Sequence, residues 1–333
     1  MKIADREIGG QNSPYIIAEI SGNHAGSLDN AKRLIKAAKR AGADAVKTQC
    51  YEPDTITLDC NKLDFIVQGG LWRGRTLYDL YSKAHTPFKW HKELFSLAKQ
   101  EGITIFSSVF DYSSVDLLET LDCPAYKIAS FEIVDLPLIA YAAKTGKPLI
   151  ISTGLASDKE VLEAQQVAGK NAAFLHCTSD YPGTPEEADL GRIGHLEKVL
   201  GFLNPVGISD HTPSATVVPI ASTALRIAII EKHLKLDSLA SEDDSFSLNP
   251  LMFKAMVENV RATHEALKVR LKKSTNKQFR RSLYVVKDIQ AGEQFSGENI
   301  RSIRPGFGMA PKHLDKMIGK KASKSYRKGD PLT

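Results

Sequence analysis

Eight short apolar runs, each followed by a longer amphipathic stretch and each ending in polar residues, restrict the fold of this chain more than any other feature. They are YIIAEI from Tyr15, AVKTQC from Ala45, TIFSSV from Thr104, AYKIAS from Ala125, PLIIST from Pro148, AAFLHCT from Ala172, VGISDH from Val206 and AIIEKHL from Ala228. Runs this short, apolar throughout instead of alternating, read as strands buried on both faces. Between them Ala31, Leu34, Ile35 and Ala38 recur at helical spacing, and Leu94, Leu97 and Ala98 fit one helical face. Strand and helix alternating over roughly the first 250 residues predict a parallel sheet, and eight units predict that it closes into an α/β (β/α)8 TIM barrel. An open doubly wound sheet is the competing topology, but it would not demand polar tips on all eight strands.

Those tips carry Glu19; Lys47 and Gln49; Ser107 and Ser108; Lys127 and Ser130; Ser152 and Thr153; Thr178; Ser209, Asp210 and His211; Glu231 and His233. In a barrel they converge on one face, where the active site is built. His211 and His233 end neighbouring strands, so their imidazoles are expected to share a divalent metal and leave positions open for water or substrate. Asp210 and Glu231 are placed to orient those imidazoles, whereas His24 falls in the first loop and is left out. Lys127 and Ser130, in YKIASFEIVD, stand at odd spacing, but Ser130 lies where the strand passes into its loop and can turn back. With Lys47, Ser108 and Ser152 they offer cations and hydroxyls suited to a phosphate and a carboxylate, hence to an anionic, phosphorylated substrate. A Schiff-base aldolase with Lys127 as nucleophile and a non-catalytic binding protein both remain open.

Composition narrows the rest. With 42% hydrophobic and 25% charged residues, the 333-residue chain can bury a full core. The net charge of +5 is concentrated in VRLKKSTNKQFRR from Val269; no nucleic-acid-binding signature accompanies that run, so it reads as a solvated linker and no nucleic-acid partner is expected. No leader pattern opens the sequence and no apolar run approaches a membrane span, so a cytoplasmic enzyme without a membrane partner is expected. The four cysteines lack CxxC spacing and read as buried reduced thiols; Cys177 has His176 beside it, but neighbours on a strand face opposite ways. A helix from Pro250 to about Leu271 carries Met252, Met256, Val260, Thr263 and Leu267 on one side, a stripe that reads as packing that closes the barrel. The expected organisation is a barrel over 1–268, a linker over 269–281 and a small, mostly β module over 282–333, punctuated by AGEQ, PGFG and KGD turns.

The ordered segments YIIAEISGNHAGSLDNAKRLIKAAKRAGADAVKTQCY, YKIASFEIVDLPLI, STG, HCTSDYP, GISDHT and EKH resemble the sialic acid (nonulosonate) synthase family, which condenses phosphoenolpyruvate with an amino sugar. RSLYVVKDIQAGE, NIRSIRPGFG and GKKA resemble that family's C-terminal antifreeze-like (SAF) domain, and LWRGRTLYDLYSKAHTPFKWHKELF, FSSVFD and FSLNP look most like its pseudaminate branch, not the N-acetylneuraminate or legionaminate branches. The resemblance implies a divalent metal (manganese, magnesium or cobalt) on His211 and His233, and a domain-swapped homodimer in which each SAF domain covers the partner's barrel. It places phosphoenolpyruvate among Lys47, Ser108, Lys127, Ser130, Ser152, Ser179 and Ser209. It places the sugar against Glu19, Tyr181 and Asp243, with Arg304 reaching across the dimer to the acyl-amino group. Glu132, Lys127 and Glu19 become the candidates for catalytic work.

Overall fold

All eight apolar runs form strands, and the strands close. In the computed structural model, described for residues 1–237, 239–268 and 276–333, a short antiparallel hairpin, β1 (Lys2–Ile3) and β2 (Arg6–Glu7), precedes the barrel. The barrel strands are β3 (Tyr15–Glu19), β4 (Ala45–Cys50), β5 (Thr104–Val109), β6 (Tyr126–Ile128), β7 (Leu149–Ser152), β8 (Ala172–Cys177), β9 (Val206–Asp210) and β10 (Ile229–His233). They pair in sequence order, and β10 returns to β3 in parallel. Nearly every strand residue is buried, which is why the runs are apolar without alternation.

Helices α1 (Leu28–Ala41), α2 (Pro53–Ile56), α3 (Leu77–Ala84), α4 (Phe88–Glu101), α5 (Tyr112–Glu119), α6 (Leu136–Ala143), α7 (Asp158–Ala168), α8 (Gly191–Val199), α9 (Val217–Leu225) and α10 (Pro250–Leu267) fill the connections. In α1 the Ser27 hydroxyl accepts from the Asn30 N–H, Gly42 ends the helix at φ +87°, and the predicted Ala31, Leu34, Ile35 and Ala38 are buried. The last helix buries Phe253, Met256, Val257 and Val260 and packs on α1 and α9. Met252 and Leu267, expected on the packed side, are 39% and 41% exposed, and Phe253 and Val257 are buried in their place beside Met256 and Val260. No described helix is long and apolar enough to cross a membrane.

The chain divides into two compact units, Met1–Lys268 and a second whose described part runs from 276 to Thr333. Residues 269–275 of the expected linker lie outside the described residues. The second unit pairs β11 (Ser282–Val285) with β12 (Ile300–Ile303), adds α11 (Leu314–Met317), and has its own core of Leu283, Val285, Ile289, Phe295, Ile300 and Leu332.

Candidate active site

The C-terminal ends of the strands enclose a cavity of about 480 Å³ whose inner part is lined by Lys47, Lys127, Ser130, Glu132, Ser152, Ser179, Ser209, His211, Glu231 and His233. Lys47 Nζ lies 2.6 Å from Glu19 Oε2 and 3.2 Å from Glu231 Oε1, and it donates to Ser108 Oγ at 2.9 Å. Burial weakens its charged form, but the two carboxylates outweigh that and hold its pKa above the ordinary lysine value. Lys127 has less compensation: burial lowers its pKa, and its Nζ donates to the Ile128 carbonyl at 3.1 Å. Ser130 opens a turn at the end of β6, and its Oγ accepts from the Gly154 N–H at 3.1 Å. A methyl on Gly154 would run into the Ser130 and Ser179 hydroxyls, so only glycine lets these oxygens sit side by side.

Five buried polar atoms on this lining have no hydrogen-bond partner: Glu132 Oε2, Ser152 Oγ, Ser179 Oγ, Glu231 Oε2 and His233 Nδ1. Buried polar groups are almost always paired, so orphans gathered on one cavity mark where a polar ligand completes the set. Burial, only partly opposed by Lys127, lifts the Glu132 carboxyl to about 7, and that of Glu19 reaches about 7 as well, again mainly through burial.

His211 and His233 face each other with ring centroids 5.3 Å apart. The Thr178 carbonyl accepts from His211 Nδ1–H at 2.9 Å, and Cys177, with that bond, outweighs burial and raises the His211 pKa above its ordinary value. Burial, helped by His211 and Lys47, holds the His233 pKa well below its ordinary value, so the ring is neutral. Its orphaned Nδ1 stands 3.9 Å from Asp243 Oδ2. Imidazole nitrogens are suitable donors for a divalent ion, and among the described residues no group of three or more histidine, cysteine or carboxylate side chains is arranged to hold one.

The sequence of residues 34–272 matches the NeuB family and that of residues 280–333 the SAF domain. The chain belongs to the NeuB family. It is 47% identical to the pseudaminic acid synthase of Campylobacter jejuni, over 96% of this chain and 95% of that protein. It is 43% identical to the pseudaminic acid synthase of Helicobacter pylori, over 96% of each. Among solved structures, the spore coat polysaccharide biosynthesis protein SpsE of Bacillus subtilis superposes with a TM-score of 0.69 at 31% identity, covering 100% of this chain and 97% of that one.

Within this NeuB barrel, Lys47, Lys127, Ser130, Glu132, Ser152, Ser179, Tyr181, Ser209, His211, His233 and Asp243 all line one cavity. Glu19 and Ser108 stand one layer deeper, behind Lys47: Glu19 is fully buried, and its Oε1 accepts from the Ser21 N–H at 2.7 Å. Asp243 accepts from the Gly22 N–H at 3.2 Å, while Asp244 turns to Lys235 at 2.9 Å. Arg304 is exposed in the second unit, just past β12.

The expected roles of Asp210 and Glu231 beside the imidazoles are corrected. Asp210 faces outward and binds Lys232 at 2.5 Å and the Thr212 N–H at 3.0 Å, and Glu231 serves Lys47 and Ser209. A backbone carbonyl, Thr178, orients His211 instead. His176 turns away to the Ala188 carbonyl, and it is His211 that meets Cys177, at 3.9 Å. Burial would raise the Cys177 thiol, but His211 outweighs it and holds the thiol below its ordinary value. Sequence reasoning missed Tyr51, Trp72 and Phe110 on the cavity lining; Gln49 and Glu231 were legible as strand tips but received no substrate role.

Proposed function

We infer that this chain is a pseudaminic acid synthase, a transferase that condenses phosphoenolpyruvate with a 2,4-diacetamido-2,4,6-trideoxy hexose of the 6-deoxy-altrose type. The products are a nonulosonic acid and phosphate, released by C–O cleavage. The observation that carries this reading is the convergence of Lys47 and Lys127 with the five orphaned polar atoms on one cavity. The names of the relatives identical at 43–47% support the choice of sugar.

Phosphoenolpyruvate is held at its two anionic groups by Lys47 and Lys127, with Ser130, Ser152, Ser179 and Ser209 supplying hydroxyls, and Ser108 keeping Lys47 in place. Such fixed charges stabilise developing charge without reorganisation. The C2–C3 π electrons of phosphoenolpyruvate form the new bond from C3 to the sugar's aldehyde carbon as the carbonyl π bond opens to an alkoxide. Water adds at C2 and gives one proton, by way of Glu132, to that alkoxide. The tetrahedral centre then breaks its C2–O bond to phosphate, its hydroxyl proton leaving with the phosphate as C2 becomes the ketone. Glu132, with a pKa near the working pH, takes the proton of that water. Tyr181 and Asp243 orient the open-chain sugar, and Glu19 sets the charge on Lys47 from behind. His211 and His233 would hold a divalent ion such as manganese, magnesium or cobalt, which when bound supplies a Lewis acid for the aldehyde oxygen.

The active form is a homodimer in which Arg304 of one chain serves the sugar site of the other. Charge supports this arrangement: residues 1–268 hold 28 Lys and Arg against 34 Asp and Glu, whereas residues 276–333 hold 13 against 5. Units of opposite sign attract across a dimer.

The test is phosphate release from phosphoenolpyruvate with a panel of acylated amino sugars, with mass spectrometry of the product. The diacetamido trideoxy sugar is expected to be consumed fastest, and chelation is expected to stop turnover until a divalent ion is restored. Borohydride trapping of substrate on Lys127 would instead establish the aldolase. A monomer that retains full activity after Arg304→Ala would remove the dimeric site.

A further inference from the structure

The long connection from β4 to α4 folds back over the cavity as a hairpin. The Val67 N–H donates to the Arg75 carbonyl at 2.9 Å, the Gly74 N–H to the Val67 carbonyl at 2.8 Å, and Ile66 bridges Thr76. Its tip, Gly69-Gly70-Leu71-Trp72, lines the cavity. Two attachments hold it there. Arg75 binds Asp79 at 2.9 Å and Glu242 at 2.6 Å, the latter being the neighbour of Asp243. The Trp72 ring lies 6.0 Å from that of Tyr181, which packs at 4.4 Å on His211. A continuous row of rings thus joins the tip to the imidazole pair.

Besides its lysines and hydroxyls the lining carries an apolar set, Ile56, Val67, Leu71, Trp72 and Phe110, alongside polar residues such as Gln49 and Asp180. Sugar hydroxyls pressed against such a wall lose water without gaining a partner, a direct loss of affinity. The methyl groups of N-acetyl substituents and of a 6-deoxy carbon gain by the same burial. Leu71 is 49% exposed, an apolar side chain left at the rim with room to be covered by a ligand.

We propose that this hairpin tip, Trp72 foremost, is the element that selects a deoxygenated, doubly N-acylated sugar over a more hydroxylated one. The inference rests on the synthase reading of the same cavity. Arg75 is its positioning residue, because it ties the hairpin to the loop that carries Asp243.

The test compares wild type, Trp72→Ala and Trp72→Phe in the full-length protein with two sugars, the diacetamido trideoxy hexose and N-acetylmannosamine. Both kcat/KM in phosphate release and affinity by calorimetry are measured. Trp72→Ala is expected to reduce the preference for the first sugar about tenfold, equivalent to about 1.4 kcal/mol. Trp72→Phe should keep most of the preference, and KM for phosphoenolpyruvate should stay within about twofold, since the Trp72 ring packs toward Tyr181, on the sugar side of the proposed site. Equal losses for both sugars, or a matching rise in KM for phosphoenolpyruvate, would overturn the proposal. A wild type that binds the sugars without releasing phosphate would sink the synthase reading instead, and the calorimetric preference would still decide the role of Trp72.

Discussion

Lys127 and Lys232 are buried alike on opposite strands of one barrel, β6 and β10, and their surroundings differ completely. Lys232 faces outward; its Nζ donates to Asp210 Oδ2 at 2.5 Å and to the Thr212 carbonyl. Lys127 faces the cavity, where its Nζ reaches one carbonyl, that of Ile128, and where Glu132, Ser152 and Ser179 nearby on the lining each keep an unpaired oxygen. Burial lowers the pKa of both. The group around Lys232 is completed within the protein, whereas the cavity lining around Lys127 leaves polar atoms for a ligand to complete. Burial by itself therefore does not separate a structural lysine from a working one; completeness of pairing does.

The sharpest way to break that contrast is to remove each ammonium in turn. Lys127→Met should lower kcat/KM by about 10³-fold, the scale of losing a fixed charge at a reacting centre. Its melting temperature should hold or rise, because an incompletely paired buried cation is gone. Lys232→Met should do the reverse, destabilising the fold by about 3–5 kcal/mol by stranding Asp210, while the folded fraction keeps turnover. Phosphate release and thermal melts read both effects. A stable but inactive Lys232→Met protein would erase the distinction.

The same distinction shows which parts of the site were legible. Eight apolar runs with polar tips point to the barrel and its tip face, because strands buried on both faces read as continuous apolar sequence and an open sheet would not demand eight polar tips. Ser209-Asp210-His211 is three polar residues in a row and so hides which two face inward; counting by twos from His211 turns Asp210 outward, and the structure pairs it there with Lys232. Glu19 was legible as a tip, but its depth was not, since an ion pair with Lys47 draws it behind the lining. The hairpin over the cavity was illegible for a different reason. It has neither helical nor strand periodicity, and Trp72 reaches the cavity only through hydrogen bonds between residues such as Val67 and Arg75.

A smaller perturbation sharpens the contrast without removing any charge. Gly154 brings the Ser130 and Ser179 hydroxyls together, and an added methyl would strike both oxygens and approach the Cys177 carbonyl at 3.0 Å. Gly154→Ala should raise KM for phosphoenolpyruvate by about 10²-fold, since displacing positioning groups by about an ångström has effects of that order. KM for the sugar should change far less. Comparable increases for both substrates would mean that these hydroxyls do not form part of the anion cradle.

Glu132 extends the comparison to an acid, with the smallest expected effect. Its pKa in the folded protein is about 7 against an ordinary 4.5, with burial as the main cause, so the folded state binds more protons than the unfolded one between those values. Stability from this group is therefore present below about pH 4.5 and is lost as pH rises through about 7. Glu132→Gln, which carries no such titration, should match the wild type near pH 5 and exceed it by about 2 kcal/mol near pH 8, as read from denaturant melts at the two pH values. If Glu132 takes the proton from water, the wild-type rate should climb with pH through about 7, and the variant should lose that limb together with its activity. A gain in stability coupled to a loss of the pH limb would place Glu132 with Lys127 among the groups whose burial costs stability and serves the reaction. A loss of stability at pH 8 would place it with Asp210, as a group the fold needs for itself.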